Sequence, residues 1–271
     1  ENLDYDMEGV LCDLSVIKKL PVVLREGGWK VTVTLLEDGE AIEIVDVQPG
    51  DLVKKRFGIA VDVGTTSIVV YLVDLVDARI VDVASSYNPQ MKYGDDVITR
   101  IVYATSKQNG LSVMKELVIS NVNTLTEGIA KKNNIDLNLI DNIVIAGNTT
   151  MTHLFYGVNP QYIREEPYVP VANLFPLTKA KELGIKANEQ AVLYSLPSIA
   201  SYVGGDITSG VRASGMCRTK ELILFIDIGT NGEIVLGNCE WFITTACSAG
   251  PCFEGGGVKF GMRAMNGAIE Q

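Results

Sequence analysis

The chain has 271 residues, of which 47% are hydrophobic, and a formal net charge of −10 at pH 7. This length can bury a substantial core in one large domain or in two domains of ordinary size. No apolar run approaches the roughly 20 residues that a membrane-spanning helix needs. The acidic balance argues against nucleic acid or an anionic membrane as a partner, because both select a basic face.

Residues 1–55 are predicted to form a small β-rich module. Its apolar runs are Pro21-Val-Val-Leu, Trp29-Lys-Val-Thr-Val-Thr-Leu-Leu and Ala41-Ile-Glu-Ile-Val-Asp-Val. The stretch from Gln48 to Arg56 combines Pro, Gly and a basic run. That composition indicates a hinge to the next domain.

Residues 56–220 are predicted to form an α/β lobe. The expected elements are strands at 57–63, 67–75 and 79–86, a helix from about 95, a helix over 111–133, a strand at 142–147 with a helix after it, and a strand at 191–197 with a helix through about 215. The helix near 95 carries Val97, Ile98, Ile101 and Val102 on one face. Three antiparallel-type strands followed by βα alternation are the order of a ribonuclease-H-like lobe.

A second lobe is predicted to begin at residue 221, with strands at 222–228, 233–237 and 241–245. Only these opening strands precede the end of the sequence at Gln271, and the chain opens at Glu1 without Met. We therefore expect a fragment, or the ordered part of a larger protein, in which the second lobe (221–271) is incomplete.

The most informative feature is a duplicated motif. Asp62-Val-Gly-Thr-Thr and Asp227-Ile-Gly-Thr-Asn-Gly each follow an apolar strand and precede another. Each predicts a hairpin with a polar tip, where Gly64 and Gly229 can take a positive φ and the tip N–H groups can bind phosphate. Asp62 and Asp227 could hold a hydrated Mg²⁺. One copy alone is ordinary turn chemistry, but two copies favour a duplicated nucleotide-binding fold.

Two strand-to-helix joints are further candidates. Gly147-Asn148-Thr149 offers free N–H groups for an anion, although Asn148 or Thr149 as a helix cap would look the same. His153, the only histidine, is expected to pack inside the following helix. Asp206, after Gly204-Gly205, could orient a water molecule or act on a metal-bound one, with helix capping as the alternative.

Two loops have weaker signals. Gln90 is a candidate for positioning a water molecule, with a surface turn as the commoner explanation. The segment 248–257 is rich in glycine, which favours backbone close to a ligand over a flexible loop.

Five cysteines are present, with no CxxC pair. An odd number of cysteines, without the spacing of a disulfide-bonded domain, argues against disulfide bonds. It favours a reducing, cytoplasmic compartment. The spacing of Cys247 and Cys252 fits no standard zinc or iron–sulfur pattern, so buried free thiols are expected.

The two hairpins resemble the phosphate-1 and phosphate-2 loops of the ASKHA superfamily, which includes actin, sugar kinases and Hsp70 chaperones. Four runs resemble a narrower family, the reductive activators of corrinoid proteins: Phe57–Thr66, Ala146–Phe155, Ile226–Glu233 and Ala246–Gly255. The resemblance covers nearly the whole chain, including the module before Phe57.

This resemblance implies a fold of two ribonuclease-H-like lobes with ATP and Mg²⁺ between them. It implies an ATP-dependent reductase that restores Co(I) in a corrinoid methyl-transfer protein after oxidation to Co(II). Electrons would come from a donor such as ferredoxin or a fused iron–sulfur domain, with the cluster outside this chain and the adenosine motif past Gln271. Carried over by position, the phosphate and Mg²⁺ contacts would be Asp62, Gly64, Thr65, Thr66, Asp227, Gly229, Thr230, Asn231 and Gly232.

Two other functions fit the same hairpins. A small-molecule kinase would use Asp206 as its base near the γ-phosphate. An actin-like or chaperone-like module would use nucleotide only to control assembly. Neither needs the β-rich module or the glycine-rich segment, so the activator is the favoured interpretation.

Overall fold

The computed structural model describes residues 10–38, 41–229 and 231–248. The N-terminal module pairs three strands in the order β1-β3-β2, with one helix packed on them. Its elements are β1 (Leu11–Cys12), α1 (Leu14–Glu26), β2 (Val31–Asp38) and β3 (Ala41–Pro49).

The Pro21-Val-Val-Leu run, counted above among the apolar runs of a β module, lies inside helix α1. Asp13 caps this helix by accepting a hydrogen bond of 2.7 Å from the N–H of Ser15. Val16 and Val23 are buried against Val47 of β3. A spacing of seven residues places both valines on one helical face, and this packing outweighs the strand preference of a valine pair.

The first lobe follows with a mixed sheet and helices on its faces. Its elements are β4 (Phe57–Val63), β5 (Ser67–Asp74), β6 (Arg79–Tyr87), α2 (Val97–Ser106), α3 (Gly110–Lys132), β7 (Ile140–Gly147), α4 (Thr149–Tyr156), β8 (Thr178–Lys179), α5 (Ala180–Leu183), β9 (Val192–Ser195) and α6 (Gly205–Ser214). Strand β8 and helix α5 were not expected from the sequence, whereas the other elements lie close to the expected positions.

The strand order in this sheet is β6-β5-β4-β7-β9-β8. Strands β4, β7 and β9 run parallel, while β5 is antiparallel to both of its neighbours. The first strand, β4, therefore lies inside the sheet, with β5 and β6 on one side and β7, β9 and β8 on the other. This topology confirms the ribonuclease-H-like α/β lobe.

The core of the lobe lies between this sheet and helices α3 and α4. Met114, Val118 and Val122 of α3 are fully buried at a spacing of four residues. Val61 and Val63 of β4 point into the same core. Because side chains alternate along a strand, Asp62 between them points to the opposite face. Its carboxylate interacts there with those of Asp206, at the start of α6, and Asp227, in the second hairpin.

The second lobe contributes an antiparallel sheet of three described strands, β10 (Ile223–Ile228), β11 (Asn231–Gly237) and β12 (Phe242–Ser248). Val203 and Ile207 at the start of α6 pack with Val235 of β11 in a small buried cluster. Phe225 of β10 packs against the same cluster. Helix α6 thus joins the first lobe to the second hairpin.

Asp46 ties the N-terminal module to the first lobe. Its carboxylate is buried and accepts hydrogen bonds from Lys19 and, at 2.7 Å, from the side-chain amide of Asn188. Gln48 donates to the same carboxylate at 3.0 Å and to the carbonyl oxygen of Asn138 at 3.1 Å. The module is therefore anchored to the first lobe by a polar network centred on a buried carboxylate.

We expect Asp46→Ala to lower the free energy of unfolding by about 2 to 3 kcal/mol, because it leaves a lysine and two amides without their acceptor. Chemical denaturation measures the loss. Asp51→Ala is the control, since Asp51 pairs with Lys30 at 3.1 Å on the surface and its removal should change stability little. Equal losses in the two variants would contradict the anchoring role of Asp46.

Candidate functional site

The first hairpin joins β4 to β5 through a tip at residues 64–66. A Cβ on Gly64 would lie 2.6 Å from the carbonyl oxygen of Ser67, so the tip can close this tightly only with glycine there. Neither Gly64 nor Gly229 has a φ in the left-handed region, so the expected positive φ is wrong at both positions. Gly64 is needed for close approach instead.

Three side chains hold this tip from behind. The amide of Asn88 donates to the carbonyl oxygen of Gly64 at 2.8 Å, and the guanidinium of Arg100 donates to that of Thr65 at 2.6 Å. The amide of Asn148 donates to the Thr65 hydroxyl at 3.0 Å. The backbone of the tip is therefore fixed before any ligand arrives.

The end of β7 and the start of α6 meet at the same place. A Cβ on Gly204 would lie 2.5 Å from the carbonyl oxygen of Gly147, so these two backbones touch. Asn148 caps helix α4 by accepting from the N–H of Met151 at 2.9 Å. Asn148 is thus a helix cap, and its side-chain amide also donates to the Thr65 hydroxyl of the first hairpin.

Thr149 and His153 are structural in helix α4. Both are fully buried. The Thr149 hydroxyl donates to the carbonyl oxygen of Ala200 at 2.6 Å, and Nδ1 of His153 lies 2.7 Å from the carbonyl oxygen of Thr149. The ring of His153 packs edge-on against Phe175, and burial lowers its pKa below the ordinary value. The expectation of a packed histidine is confirmed.

The second hairpin joins β10 to β11. Asp227 pairs directly across the hairpin with Glu233, so both side chains point to one face of the sheet. The N–H of Gly229 donates to the carbonyl oxygen of Asn231 at 2.9 Å and closes the turn. Thr230 lies outside the described residues, while Gly232 lies against the sulfur of Cys247.

Four carboxylates from the two hairpins and α6 influence one another. Burial raises the pKa of Asp206 to about 6, with the charges of Asp62 and Asp227 adding to the effect and the N–H of Ile207 opposing it. Burial also raises the pKa of Glu233 to about 7, assisted by Asp206 and Asp227. These mutual effects indicate that Asp62, Asp206, Asp227 and Glu233 lie near one another, and the space among these four carboxylates is termed the cleft.

Asp62 is the most exposed of the four carboxylates. Its side chain is exposed, yet the surrounding protein removes enough water to raise the pKa of its carboxyl, and the charge of Asp227 adds to the shift. Partial desolvation and a like charge both disfavour the ionised form. A bound cation would reverse this balance.

The donor set suits a hydrated divalent cation. Among the described residues, no three acidic, histidine or cysteine side chains are close enough to bind an ion together. Mg²⁺ keeps several of its waters and uses one or two carboxylates, so Asp62 and Asp227 could hold it through water. The charge of the ion would stabilise all four carboxylates in their ionised forms.

The weaker candidates have mixed outcomes. Gln90 is fully buried, donates to the carbonyl oxygen of Met114 at 2.9 Å and accepts from Arg100 at 3.4 Å; both the water-positioning role and the surface turn are wrong. The segment 249–257 lies outside the described residues. The described cysteines are free, as expected, but Cys12, Cys239 and Cys247 are exposed rather than buried.

Glu233, Arg100 and Asn88 were assigned no role from the sequence. Glu233 could have been found, because a hairpin this short places it across from Asp227. Arg100 and Asn88 carry no such signal, since their partners at the tip lie 24 or more residues away along the chain.

Three family models match the chain in order. They are described as the RACo linker region (residues 1–54), the RACo middle region (57–219) and the C-terminal domain of RACo, the ASKHA domain (221–271). A solved structure described as a reductive activator for corrinoid, iron–sulfur protein superposes with a TM-score of 0.88 at 45% identity, over 98% of this chain and 42% of the other.

Two characterised relatives also match. The corrinoid activation enzyme RamQ of Eubacterium limosum is 32% identical over 96% of this chain and 43% of its own length. The [Co(II) methylated amine-specific corrinoid protein] reductase of Methanosarcina barkeri is 25% identical over 79% of this chain and 40% of its own length. The chain thus spans about two fifths of each of these relatives.

The raised pKa of Glu233 predicts a pH-dependent effect of Glu233→Gln. Because the folded-state pKa of about 7 lies above the ordinary 4.5, the unfolded chain loses its proton first and stability falls as the pH rises through this interval. Glutamine cannot ionise. Without divalent cations, the variant should therefore unfold at a higher temperature than the parent at pH 8, and the difference should vanish towards pH 4.5.

Thermal unfolding followed by circular dichroism across this pH range measures the effect. Glu240→Gln is the matched control, because the Glu240 side chain is 64% exposed. A constant offset between the Glu233 variant and the parent at all pH values would contradict the assignment.

Proposed function

Because the chain belongs to the RACo family of corrinoid-protein activators, we propose that it is the ATP-binding part of an activator that returns a corrinoid protein from Co(II) to Co(I). The observation that carries the proposal is the proximity of Asp62 and Asp227, the aspartates that open the two Asp-x-Gly-Thr motifs. The names of the relatives RamQ and the Co(II) corrinoid protein reductase support the reaction.

The residues divide into three roles in this proposal. Asp62 and Asp227 hold hydrated Mg²⁺, and Asp206 orients the attacking water. The phosphates contact the hairpin tips and the adjoining joint, at Gly64, Thr65, Thr66, Gly147, Asn148, Gly229, Thr230, Asn231 and Gly232. Thr149 is fully buried and its hydroxyl bonds to Ala200, so it supports this joint without touching the phosphates.

Asp206 is suited to its role because of its surroundings. A carboxyl with a pKa of about 6 is ionised at neutral pH and retains more basicity than an ordinary aspartate. The carboxylate of Asp206 accepts a hydrogen bond of 2.8 Å from the N–H of Ile207, and this bond fixes it at the start of α6. The group is therefore held rigidly towards the cleft.

ATP can promote the reduction only by favouring one arrangement of activator and corrinoid protein over another. Transfer of one electron converts Co(II) to Co(I), and it is uphill for ordinary donors. Closure of the cleft between lobes on Mg·ATP, and its reopening after hydrolysis, would supply the two states. The electron comes from a ferredoxin or a fused iron–sulfur domain outside these residues.

The domains of the proposal are a linking module (1–55), a first ASKHA lobe (56–220) and the start of a second lobe (221–271). The free cysteines suit the reducing cytoplasm. None of the helices in the described ranges has the length and hydrophobicity needed to cross a bilayer.

A small-molecule kinase is the second candidate, because an aspartate with the raised pKa of Asp206 could also deprotonate a hydroxyl substrate. Such a kinase would transfer the γ-phosphate to a sugar or a carboxylic acid. The activator would transfer it only to water.

The first functional prediction concerns Mg²⁺. We expect Asp62→Asn and Asp227→Asn each to weaken Mg·ATP binding in the intact protein by about tenfold or more, equal to about 1.4 kcal/mol. Binding of ATP without Mg²⁺ should not weaken, because each change removes a negative charge that repels the phosphates. Calorimetric titration with and without a chelator measures both affinities.

Asp77→Asn is the control for these variants, since Asp77 lies on the surface next to Arg79. Unchanged Mg·ATP affinity in both site variants would reject the hairpins as the Mg²⁺ site.

The second functional prediction concerns the reaction. Intact protein, mixed with Mg·ATP, a reductant and Co(II) corrinoid protein, should form Co(I), visible by its absorption spectrum. Omission of ATP should lower the yield at least about tenfold, because the electron transfer then lacks its driving force. Equal Co(I) formation without ATP would defeat the coupling, and phosphorylation of a sugar would favour the kinase.

A further inference from the structure

Arg100 is the largest fully buried side chain of the described structure. It lies on α2, and its guanidinium donates to the carbonyl oxygens of Gly94 at 2.9 Å and Thr65 at 2.6 Å. Its remaining contacts are the side-chain oxygen of Gln90 at 3.4 Å and the sulfur of Met151 at 3.3 Å. Each of these acceptors is electrically neutral.

A buried cation is costly unless an anion compensates it. Arg100 takes part in none of the ion pairs found among the described residues. The charges of Asp95 and Asp96, at the start of its own helix, act on it, but burial outweighs them and lowers its pKa to about 10. Arg100 is therefore still a cation at neutral pH.

This buried cation lies directly next to the first hairpin tip. Arg100 bonds directly to the backbone of Thr65, the central residue of the first hairpin tip. Asp62 lies just before this tip and forms the cleft together with Asp206, Asp227 and Glu233. Burial, assisted by the neighbouring negative charges, raises the pKa values of Asp62, Asp206 and Glu233. These carboxylates would repel the phosphates of a nucleotide unless a positive charge lay close by.

Two neighbours hold Arg100 in place. Gln90 accepts from the guanidinium and is itself fixed by its hydrogen bond to the carbonyl oxygen of Met114. Asn88 starts the short 3₁₀ turn that carries Gln90, and it also donates to the carbonyl oxygen of Gly64. The turn after β6 and helix α2 together thus form a rigid support for the tip.

We propose that Arg100 is a positioning residue for nucleotide phosphates: it fixes the Thr65 carbonyl from behind the tip and places a buried positive charge next to the tip that contacts them. The proposal rests on the proposed ATP site and deepens it. Because Arg100 is 0% exposed, it acts through the tip and not by touching the nucleotide. Its effect should therefore depend on the charge of the ligand.

The test compares ATP with adenosine as ligands of the intact protein. Arg100→Met should weaken ATP binding by about 30-fold, since it removes both the charge and the hydrogen bonds, while adenosine affinity changes by less than about twofold. Arg100→Lys keeps the charge and loses the forked hydrogen bonds, so it should weaken ATP binding by only about three- to tenfold.

Arg56→Met is the matched control. Arg56 belongs to the same lobe and pairs with Asp141 at 3.2 Å, so its loss disturbs an ion pair away from the tip. Its ratio of ATP to adenosine affinity should equal that of the parent. Melting temperatures of all variants identify any that fail to fold, and Arg100→Lys then decides the question alone.

An ATP-to-adenosine ratio unchanged in the folded Arg100 variants would overturn the inference and leave the proposed function intact, as would equal losses for both ligands. Failure of the parent protein to bind ATP would overturn the proposed function together with the inference. Recovery of most of the ATP affinity by lysine relative to methionine would support the role of charge.

Discussion

Four carboxylates around one cleft set the central physical constraint on this protein. Asp62, Asp206, Asp227 and Glu233 come from three different elements, and burial together with mutual repulsion raises the pKa of at least three of them. Such an arrangement opposes folding unless something else stabilises the scaffold. It also makes the cleft receptive to a cation, because a divalent ion would offset the repulsion.

The scaffold that resists this repulsion is built from backbone contacts. The end of β4, the end of β7 and the start of α6 meet where Gly147 and Gly204 allow main chains to touch. Apolar packing of Ile207 against Val235 then holds the second hairpin to α6. Side chains at the tips can therefore be polar and partly exposed, while their positions are fixed by a rigid framework beneath them.

The two hairpins are similar in sequence but differ in support. The first has Asn88, Arg100 and Asn148 bonded to its tip, whereas the second carries an additional carboxylate, Glu233, opposite Asp227. In the proposed function, this asymmetry would suit Mg·ATP, because the side next to Arg100 would contact the phosphates and the side with two carboxylates would contact the metal ion.

Sequence alone determined the features that depend on local patterns. Alternating apolar residues and Asp-x-Gly-Thr turns predict the hairpins, and the order of strands and helices predicts the ribonuclease-H-like lobe, because each signal lies within a few residues. Helix α1 was missed because Pro21-Val-Val-Leu is short enough to suit either structure, and only its packing on β3 selects the helix.

Only the tertiary structure decided which polar residues are buried and support the hairpin tip. In helix α2 the sequence favoured a stripe of Val97, Ile98, Ile101 and Val102, yet Ile98 and Val102 are exposed and Arg100 occupies the buried face. The partners that make this burial tolerable lie in the turn after β6 and at the hairpin tip. Hydrogen bonds between residues so far apart in the chain leave no periodic trace in the sequence, and the raised pKa values arise only when three elements meet.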